Sequence, residues 1–406
     1  MAQRLVLHIG PRKTGTTYLQ RVLQSLAPEL QAEGVLYPTR YREGKEDYNH
    51  VGAVTDITHS EETRHGSRWS ARDGSQWANL CDVVNAFDGT AILSAEMLGG
   101  LRPPAARTFM EGFRADRIDI VITMRDLGRI IPSSWQQHVR NTHTQDYKAY
   151  LKRRARERGR KPPEEMQEVW DTERNQTFWR GYAYGALVRR WQSLAGTDRV
   201  RVVTLPPAGS PSRLLWERFR EALDIDALPQ TAPQLPNFVA NVGSTEPEAL
   251  FLHAFNVEAK RRKWNRREAN DMQQRLLASG FLDRAERGRP LLLPHRWLPK
   301  VQGWAQVDID DLRTTGAPIF GDLADLQVLE SSASRGRPDA ADAAAVGAYA
   351  AIHSLDQEVQ LLMRQRDRES RLSLPGRAVR RLIRMTTRKA PTPSASPTSP
   401  GTGPRG

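Results

Sequence analysis

Residues 8–20 read HIGPRKTGTTYLQ and lie between two apolar segments of different periodicity. Residues 4–9 on the N-terminal side are a short apolar run rich in β-forming side chains, which predicts a buried strand. Residues 17–26 on the C-terminal side carry apolar side chains with helical spacing, at Leu19, Val22, Leu23 and Leu26. The segment is therefore predicted to be a glycine-containing loop between a strand and a helix.

This loop carries the groups that bind an anion. Backbone amides at the start of a helix point outward without partners, and the helix dipole favours negative charge there. Gly15 lets the backbone come close to a ligand, and Lys13 adds a mobile cation. Thr14, Thr16 and Thr17 add hydroxyl donors. The loop therefore predicts a binding site for a phosphate or sulfate group.

The same loop differs from the nucleotide-binding loop of P-loop NTPases. That motif places a lysine directly after its second glycine, with a magnesium-binding hydroxyl after the lysine. Here Thr16 follows Gly15, and Lys13 comes two residues before the glycine. The order argues against a P-loop kinase or NTPase, which stays open as an alternative together with a basic nucleic-acid-binding protein.

The loop resembles the 5′-phosphosulfate-binding loop of sulfotransferases, whose core reads Pro-Lys-[Ser/Thr]-Gly-Thr-Thr. One additional residue separates Pro11 from Lys13, as in bacterial members. The resemblance implies a second signature that grips a 3′-phosphate: an arginine after a strand and a serine eight residues later. Arg125 and Ser133 have this spacing, and an arginine presents a planar fork of donors to a phosphate. Considered alone, Arg125 is better interpreted as half of an ion pair with Asp126 or a helix carboxylate.

Together the two elements resemble the PAPS-dependent sulfotransferase superfamily over roughly residues 1–260. The resemblance implies transfer of a sulfuryl group from PAPS (3′-phosphoadenosine 5′-phosphosulfate) to a hydroxyl or amine, with release of PAP and no metal. Lys13 would stabilise the oxygen on which PAP departs. Residues 14–17 would hold the 5′-phosphate, and Tyr18 would lie near the adenine. The C-terminal Arg-Lys-Gly cluster of many eukaryotic members is not evident, so Arg12 is a further candidate for the 3′-phosphate.

The acceptor needs a general base, for which the sequence offers two candidates. Glu96 follows a strand predicted over residues 90–93, near the position where cytosolic members have a histidine. Its alternative role is a structural carboxylate paired with Lys13 or an arginine. His50 is the second candidate, in a loop expected to line the acceptor cleft; its alternative is an exposed histidine without a role.

Alternating strands and helices predict an α/β fold, a three-layer parallel sheet flanked by helices of the P-loop NTPase-like sulfotransferase type, with additional C-terminal helices. Residues 34–75 are interpreted as long connections and residues 178–194 as one helix. The chain is predicted to have three parts: a sulfotransferase domain over 1–335 with an acceptor-region insertion at about 144–190, a long helix over 336–370, and a basic, Pro/Ser-rich disordered tail over 371–406.

The formal net charge of +13 over 406 residues suggests an anionic partner. Part of this excess lies in the tail, where every charged side chain after Ser370 is positive. Cys81 is the single cysteine, which excludes an intrachain disulfide and a multi-cysteine zinc site and fits a reducing compartment. With no apolar run of membrane-spanning length, the prediction is a cytoplasmic protein.

The acceptor is predicted to be a small molecule, a glycan or a lipid, with no nucleic acid as partner. The cations of residues 152–161 either attract an anionic acceptor or form a solvated helix face. The aromatic side chains of residues 178–191 either pack on sugar rings or belong to the core. Residues 377–385 either touch an anionic membrane surface or are part of a disordered tail. A further alternative is a sulfotransferase-like fold that has lost its activity and serves only for binding. Neither the identity of the acceptor nor the oligomeric state follows from the sequence.

Overall fold

The computed structural model describes residues 2–42, 44–64, 75–174, 177–235, 243–280, 287–336, 339–353, 355 and 359–366. The strands within these ranges are β1 (Ala2–His8), β2 (Val35–Leu36), β3 (Gly89–Ser94), β4 (Ala115–Met124), β5 (Val200–Thr204), β6 (Leu293–Pro294), β7 (Ile319–Phe320) and β8 (Ala333–Ser334). The helices are α1 (Thr16–Ala32), α2 (Val51–Arg64), α3 (Ser75–Asn85), α4 (Pro103–Glu111), α5 (Leu127–Arg140), α6 (Tyr147–Arg158), α7 (Pro163–Thr172), α8 (Thr177–Tyr182), α9 (Tyr184–Ala195), α10 (Ser212–Leu223), α11 (Glu246–Arg261), α12 (Arg266–Gly280) and α13 (Leu298–Thr314).

Six strands form one parallel sheet in the order β2-β3-β1-β4-β5-β7. Strands β6 and β8 pair separately from it. Helices cover both faces of the parallel sheet, as buried strands of this kind require. The predicted α/β class and the three-layer parallel arrangement are therefore confirmed.

Alternate side chains of β1 enter two different cores, one on each face of the sheet. Val6 packs with the apolar side chains of α1 and α10. Leu5 and Leu7 pack on the other face with side chains of α4, α5 and α9. This period-two alternation places α1, and the loop before it, over one face of the central strand.

Three parts of the chain depart from the sequence interpretation. Residues 34–75 are not only connections, because β2 and α2 lie within them. The single helix expected over 178–194 is divided at Ala183, whose backbone is extended (φ −85°, ψ 91°). Helix α13 and strand β7 were not predicted. Residues 340–353 are helical, whereas the tail at 371–406 lies outside the described residues, so the division into domains stays a prediction.

Candidate active site

The carboxyl ends of β1, β3 and β4 bring three separate segments to one edge of the sheet. Strand β1 lies between β3 and β4, so the strand order reverses there. Ligands of open α/β sheets bind in the crevice at this kind of switch point. The loop at residues 9–15, Glu96 and Arg125 all follow these strand ends, which defines the candidate site.

The loop ends in a helix start that only glycine allows. Gly15 precedes α1 with φ +81°, and a Cβ there would lie 2.7 Å from Leu215 Cδ2. Within the described part of the chain, the backbone amides of Gly15 and Thr16 donate no hydrogen bond. Lys13 also has a left-handed backbone (φ 71°), which is uncommon for a residue with a side chain. The loop therefore presents amide donors and the positive end of a 17-residue helix to its exposed side.

A buried chain of hydrogen bonds supports the loop from below. Thr14 Oγ1 donates to Pro11 O (2.6 Å) and lies 2.7 Å from Thr123 Oγ1. Thr123 must therefore donate to Thr14 and accept from His8 Nε2 (3.2 Å). His8 Nδ1 then accepts from the Ser94 hydroxyl (2.7 Å). Burial lowers the pKa of His8 to about 3, which keeps the ring neutral, as this chain requires.

This chain of hydrogen bonds corrects one expectation about the loop. The Thr14 hydroxyl was predicted to donate to the anion, but it is buried and donates to a carbonyl of its own loop. Its role is to hold the loop closed over the sheet edge. The hydroxyl of Thr16 is buried as well, and Thr17 is half-buried.

Lys13 reaches the last turn of α5. Its Nζ donates to Gln137 Oε1 at 3.0 Å. Burial, followed by the positive charges of Arg140 and Arg12, lowers the pKa of Lys13 to about 8, while the charge of Glu96 acts to raise it. The ammonium group therefore lies among other cations with one carboxylate to balance them.

Arg125 packs beside the loop and does not pair with the neighbouring aspartate. Its Nη1 donates to Lys13 O at 3.1 Å, and its amide donates to the Tyr184 hydroxyl at 3.1 Å. Its Nε is buried without a partner in the described structure. Asp126 instead caps α5 and pairs with Arg129. Burial, followed by the charge of Arg129, lowers the pKa of Arg125 to about 10.

One face of α5 completes this side of the site. Ser133, Gln137 and Arg140 are spaced by four and then three residues, so they share a face of the helix. Arg140 Nη2 donates to Ser244 Oγ at 2.9 Å, and burial lowers the Arg140 pKa. Gln137 and Arg140 were not identified from the sequence, although their helical spacing from Ser133 would have indicated them.

Glu96 follows β3 and lies near enough to Lys13 for its charge to act on the ammonium group. It is half-buried and accepts a hydrogen bond from Gln20 Nε2 at 3.2 Å. Its charge raises the pKa of Lys13 and of Tyr182. Among the described residues it forms no ion pair within 4 Å, and both of its predicted roles, general base and structural carboxylate, stay predictions.

His50 has no ring nitrogen available to an acceptor. Its Nδ1 accepts from the Ser94 amide (2.9 Å), and its Nε2 donates to Pro38 O (2.9 Å). The residue is fully buried, and burial lowers its pKa to about 4. The expectation of a histidine lining the cleft is corrected, because the ring instead ties the start of α2 to β3.

Arg12 and Tyr18 lie at opposite ends of the loop. The Arg12 side chain is exposed, and its carbonyl accepts from the Tyr182 hydroxyl at 2.7 Å. Tyr18 is half-buried against the core formed by α1 and α10, with its hydroxyl bonded to Ser212. Arg12 therefore has a mobile cation for a ligand, while the contact of Tyr18 with an adenine stays a prediction.

The region at 144–190 is mostly structural. Its large aromatic side chains are buried: Phe178, Trp179, Tyr182 and Tyr184, followed by Trp191 just beyond it. Several of its cations are in ion pairs, including Arg158 with Asp308 (2.6 Å) and Arg154 with Glu157 (3.0 Å). The aromatic side chains therefore belong to the core, and these arginines are neutralised within the fold.

Two features are absent from the part of the chain that the structure describes. No group of three or more His, Cys, Asp or Glu side chains there could hold a metal ion. None of the helices there is both long enough and apolar enough to cross a membrane.

Comparisons with known proteins give few matches. No protein-family model matches the sequence, and no curated protein matches it significantly. Among solved structures, the crystal structure of a sulfotransferase from Alicyclobacillus acidocaldarius is similar to part of the chain. The identity is 20%, the match covers 49% of this chain and 72% of that chain, and the TM-score is 0.30.

Proposed function

We propose that this protein is a sulfotransferase that moves a sulfuryl group from PAPS to a hydroxyl or amine of a small-molecule, glycan or lipid acceptor, releasing PAP. One observation carries the proposal: the loop lies beside cations that form no ion pair with the described part of the chain. The charges of Arg140, Arg12 and Arg125 lower the pKa of Lys13, and the charge of Glu96 raises it. A site with this imbalance, at a helix start on a switch point, is suited to a ligand with several negative charges.

The groups around the loop match the two anionic ends of PAPS. The amides of Gly15 and Thr16 and the ammonium group of Lys13 would hold the 5′-phosphosulfate. Arg125 has a buried Nε without a partner, and Ser133 lies on the helix face that Lys13 touches. These two residues would hold the 3′-phosphate, since an unpaired buried donor is costly unless a ligand satisfies it.

The proposed reaction uses two side chains of opposite charge, Glu96 and Lys13. When bound, PAPS supplies the sulfuryl group. Glu96 would accept the proton of the acceptor hydroxyl or amine as that atom bonds to sulfur. The bond between sulfur and the bridging oxygen breaks, and the electron pair stays on the phosphate oxygen of PAP. Lys13 would stabilise the negative charge that develops on this oxygen.

Thermal unfolding with and without PAP tests the donor site. A ligand that binds only the native state raises the melting temperature. We expect a clear shift for the wild type without magnesium, and a much smaller shift for Lys13→Ala and for Arg125→Ala. Arg114→Ala is the matched control, because this exposed arginine precedes β4 at the opposite edge of the sheet. Its shift should equal that of the wild type.

The same experiment addresses the nucleotide kinase alternative. A kinase of the P-loop type needs an acidic side chain for magnesium after a strand. Asp126 occupies such a position but is engaged by Arg129 and by the cap of α5. A shift with magnesium and ATP, and none with PAP, would overturn the sulfotransferase proposal.

A further inference from the structure

A groove of about 500 Å³ lies at the end of α5, outside the residues assigned to the donor. One wall is the loop at residues 141–144, and the other comes from α11, α12 and the turn between them. Its volume falls in the range of roughly 300–1,000 Å³ that small-molecule sites occupy. Asn256 joins the two walls, since its Nδ2 donates to Val139 O (2.8 Å) and His143 O (3.0 Å).

Three of the described residues that line the groove are cations, and the Glu268 carboxylate lies beside them, where it accepts from the Asn265 amide at 2.8 Å. Lys260, Lys263 and Arg266 are exposed on its helical wall. Among the described lining residues there is no aspartate or glutamate. Glu258, the nearest acidic residue on α11, is engaged by two other side chains, Arg261 and Arg262. The groove therefore has a positive surface that attracts an anion.

An aromatic ring lies among these cations. Trp264 is 37% exposed and rests edge-on against Phe255, with ring centroids 5.9 Å apart. A half-exposed tryptophan offers an apolar face and a polar N–H to a ligand. Asn141, Thr142 and Asn265 add polar groups to the walls. An aromatic face, amide and hydroxyl groups, and cations together match an acidic saccharide.

The groove is joined to the candidate active site by hydrogen bonds. Lys13 Nζ donates to Gln137 Oε1, and Gln137 Nε2 donates to Asn141 Oδ1 at 3.1 Å. Asn141 is the first residue of the groove wall. The Gln137 side chain therefore links Lys13 to the groove wall through two hydrogen bonds. Lys13 is the residue proposed to face the reacting group.

We propose that this groove binds the acceptor, and that the acceptor is a saccharide carrying carboxylate or sulfate groups. Its anionic groups contact Lys260, Lys263 and Arg266, one ring packs on Trp264, and its reacting hydroxyl extends past Asn141 toward Lys13. The inference rests on the proposed sulfotransferase function and names its substrate class.

A pair of stacked histidines, His138 and His143, provides a way to detect a ligand bound in the groove. The rings of His138 and His143 lie 4.0 Å apart and nearly parallel. Burial lowers the pKa of His143, and the charges of Arg266 and Arg153 lower it further. A bound anion counters this positive potential, so the His143 pKa rises when the groove is occupied.

Calorimetric titration of the full chain without PAPS tests the inference. The probe is an unsaturated chondroitin disaccharide with one carboxylate and one sulfate, compared with lactose and with a short oligothymidylate. We expect the acidic disaccharide to bind and lactose not to bind. The double variant Lys260→Gln/Lys263→Gln should weaken binding about tenfold, from the loss of two exposed charge interactions. NMR titration should show the His143 pKa rising with the disaccharide.

The matched control is Arg261→Gln/Arg262→Gln, which removes the same charge from adjacent residues that do not line the groove. It should leave disaccharide binding unchanged. Equal weakening in both double variants would overturn the inference, because total charge and not the groove would then bind the probe. Tighter binding of oligothymidylate with the same dependence on Lys260 and Lys263 would overturn it in favour of a nucleic-acid ligand.

Failure of this inference can be separated from failure of the proposed function. If PAP raises the melting temperature but the disaccharide does not bind, the groove inference is wrong and the donor site stands. If the disaccharide binds with the expected dependence on Lys260 and Lys263 but PAP produces no shift, the groove stands as a saccharide site and the proposed reaction is wrong.

Discussion

The loop at residues 9–15 and the groove at residues 141–144 and 259–266 both gather positive charge, but they do so in different surroundings. The cations beside the loop are mostly buried, and burial lowers the pKa of Lys13 and of Arg125. The cations of the groove stand on an exposed helix end. Charges in buried surroundings interact more strongly and are screened less by salt than exposed charges.

This difference indicates how the two regions divide the work. The backbone conformation of Gly15 and the buried hydrogen-bond chain hold the groups of the loop in one geometry. Transfer of a group between two aligned atoms requires such a fixed geometry. The groove has long, exposed side chains that adapt to ligands of different shape. The loop is therefore expected to be specific for its ligand, and the groove is expected to bind ligands of different shape.

The largest effect is expected for Glu96→Gln, which removes the proposed base and keeps its shape. Turnover should fall by about 10²–10⁴-fold, the usual contribution of a general base. The glutamine can still accept from Gln20 Nε2, so the fold should be preserved. Steady-state sulfuryl transfer measures the loss, and the PAP-induced melting shift, which should match that of the wild type, is the control. Retained turnover would show that Glu96 is not the base.

Gly10→Ala should lower the free energy of unfolding, because it disturbs the loop at residues 9–15. A Cβ at Gly10 would overlap Thr123 Oγ1 and lie 2.9 Å from His8 Nε2, both in the buried hydrogen-bond chain. Overpacking of this kind costs about 1–3 kcal/mol. Chemical denaturation measures the free energy of unfolding. Gly303→Ala is the control, since this exposed glycine of α13 has open space at its Cβ and should be stabilised slightly.

The pH dependence of PAP binding should follow Lys13. Its pKa of about 8 in the free protein means that it is charged at pH 7 and loses its proton as the pH rises above 8. Because a bound anion favours the charged form, affinity should decline above pH 8, by at most about tenfold per pH unit. Lys13→Arg should bind PAP with little change up to pH 9.5, since arginine stays protonated. An unchanged pH dependence in this variant would exclude Lys13 as the titrating group.

The smallest effect should come from salt, and it should differ between the two regions. The Debye length falls from roughly 10 Å at 0.1 M to 3 Å at 1 M ionic strength. Over this range the KM for an acidic acceptor should rise several-fold, because the groove cations are exposed. The affinity for PAP should change less, because Lys13 and Arg125 are mostly buried. Equal salt dependence of both quantities would contradict the comparison between the two regions.

The core of the candidate donor site could be predicted from the sequence because it is local. The strand, the glycine loop and the helix start are adjacent in the chain, and Gly15 has the left-handed backbone that its position requires. Arg125 was added because the resemblance to sulfotransferases implies an arginine after a strand and a serine eight residues later; the structure places it after β4, which pairs with β1. The loop features depend on backbone conformation, which short segments already indicate.

Side-chain partners could not be predicted in the same way. The Thr14 hydroxyl turned inward because Thr123, 109 residues away, offers it a buried partner. His50 is buried because Ser94 and Pro38 take both ring nitrogens. The groove joins a loop and a helix that are more than one hundred residues apart in the chain, as the bond from Asn256 to His143 shows. Such contacts depend on how helices pack on the sheet.

The order of residues in the chain was sufficient to predict the α/β class, which the structure confirms, and to propose an anion site at the start of α1, while the addition of Arg125 to that site depended on the resemblance to sulfotransferases. Periodicity and backbone preference act over a few residues, so they can be read without the fold. The tertiary structure decided which hydroxyls face inward, which carboxylate lies beside Lys13 and where a groove opens next to it. These depend on burial and on partners distant in the chain, which exist only once the helices have packed against the sheet.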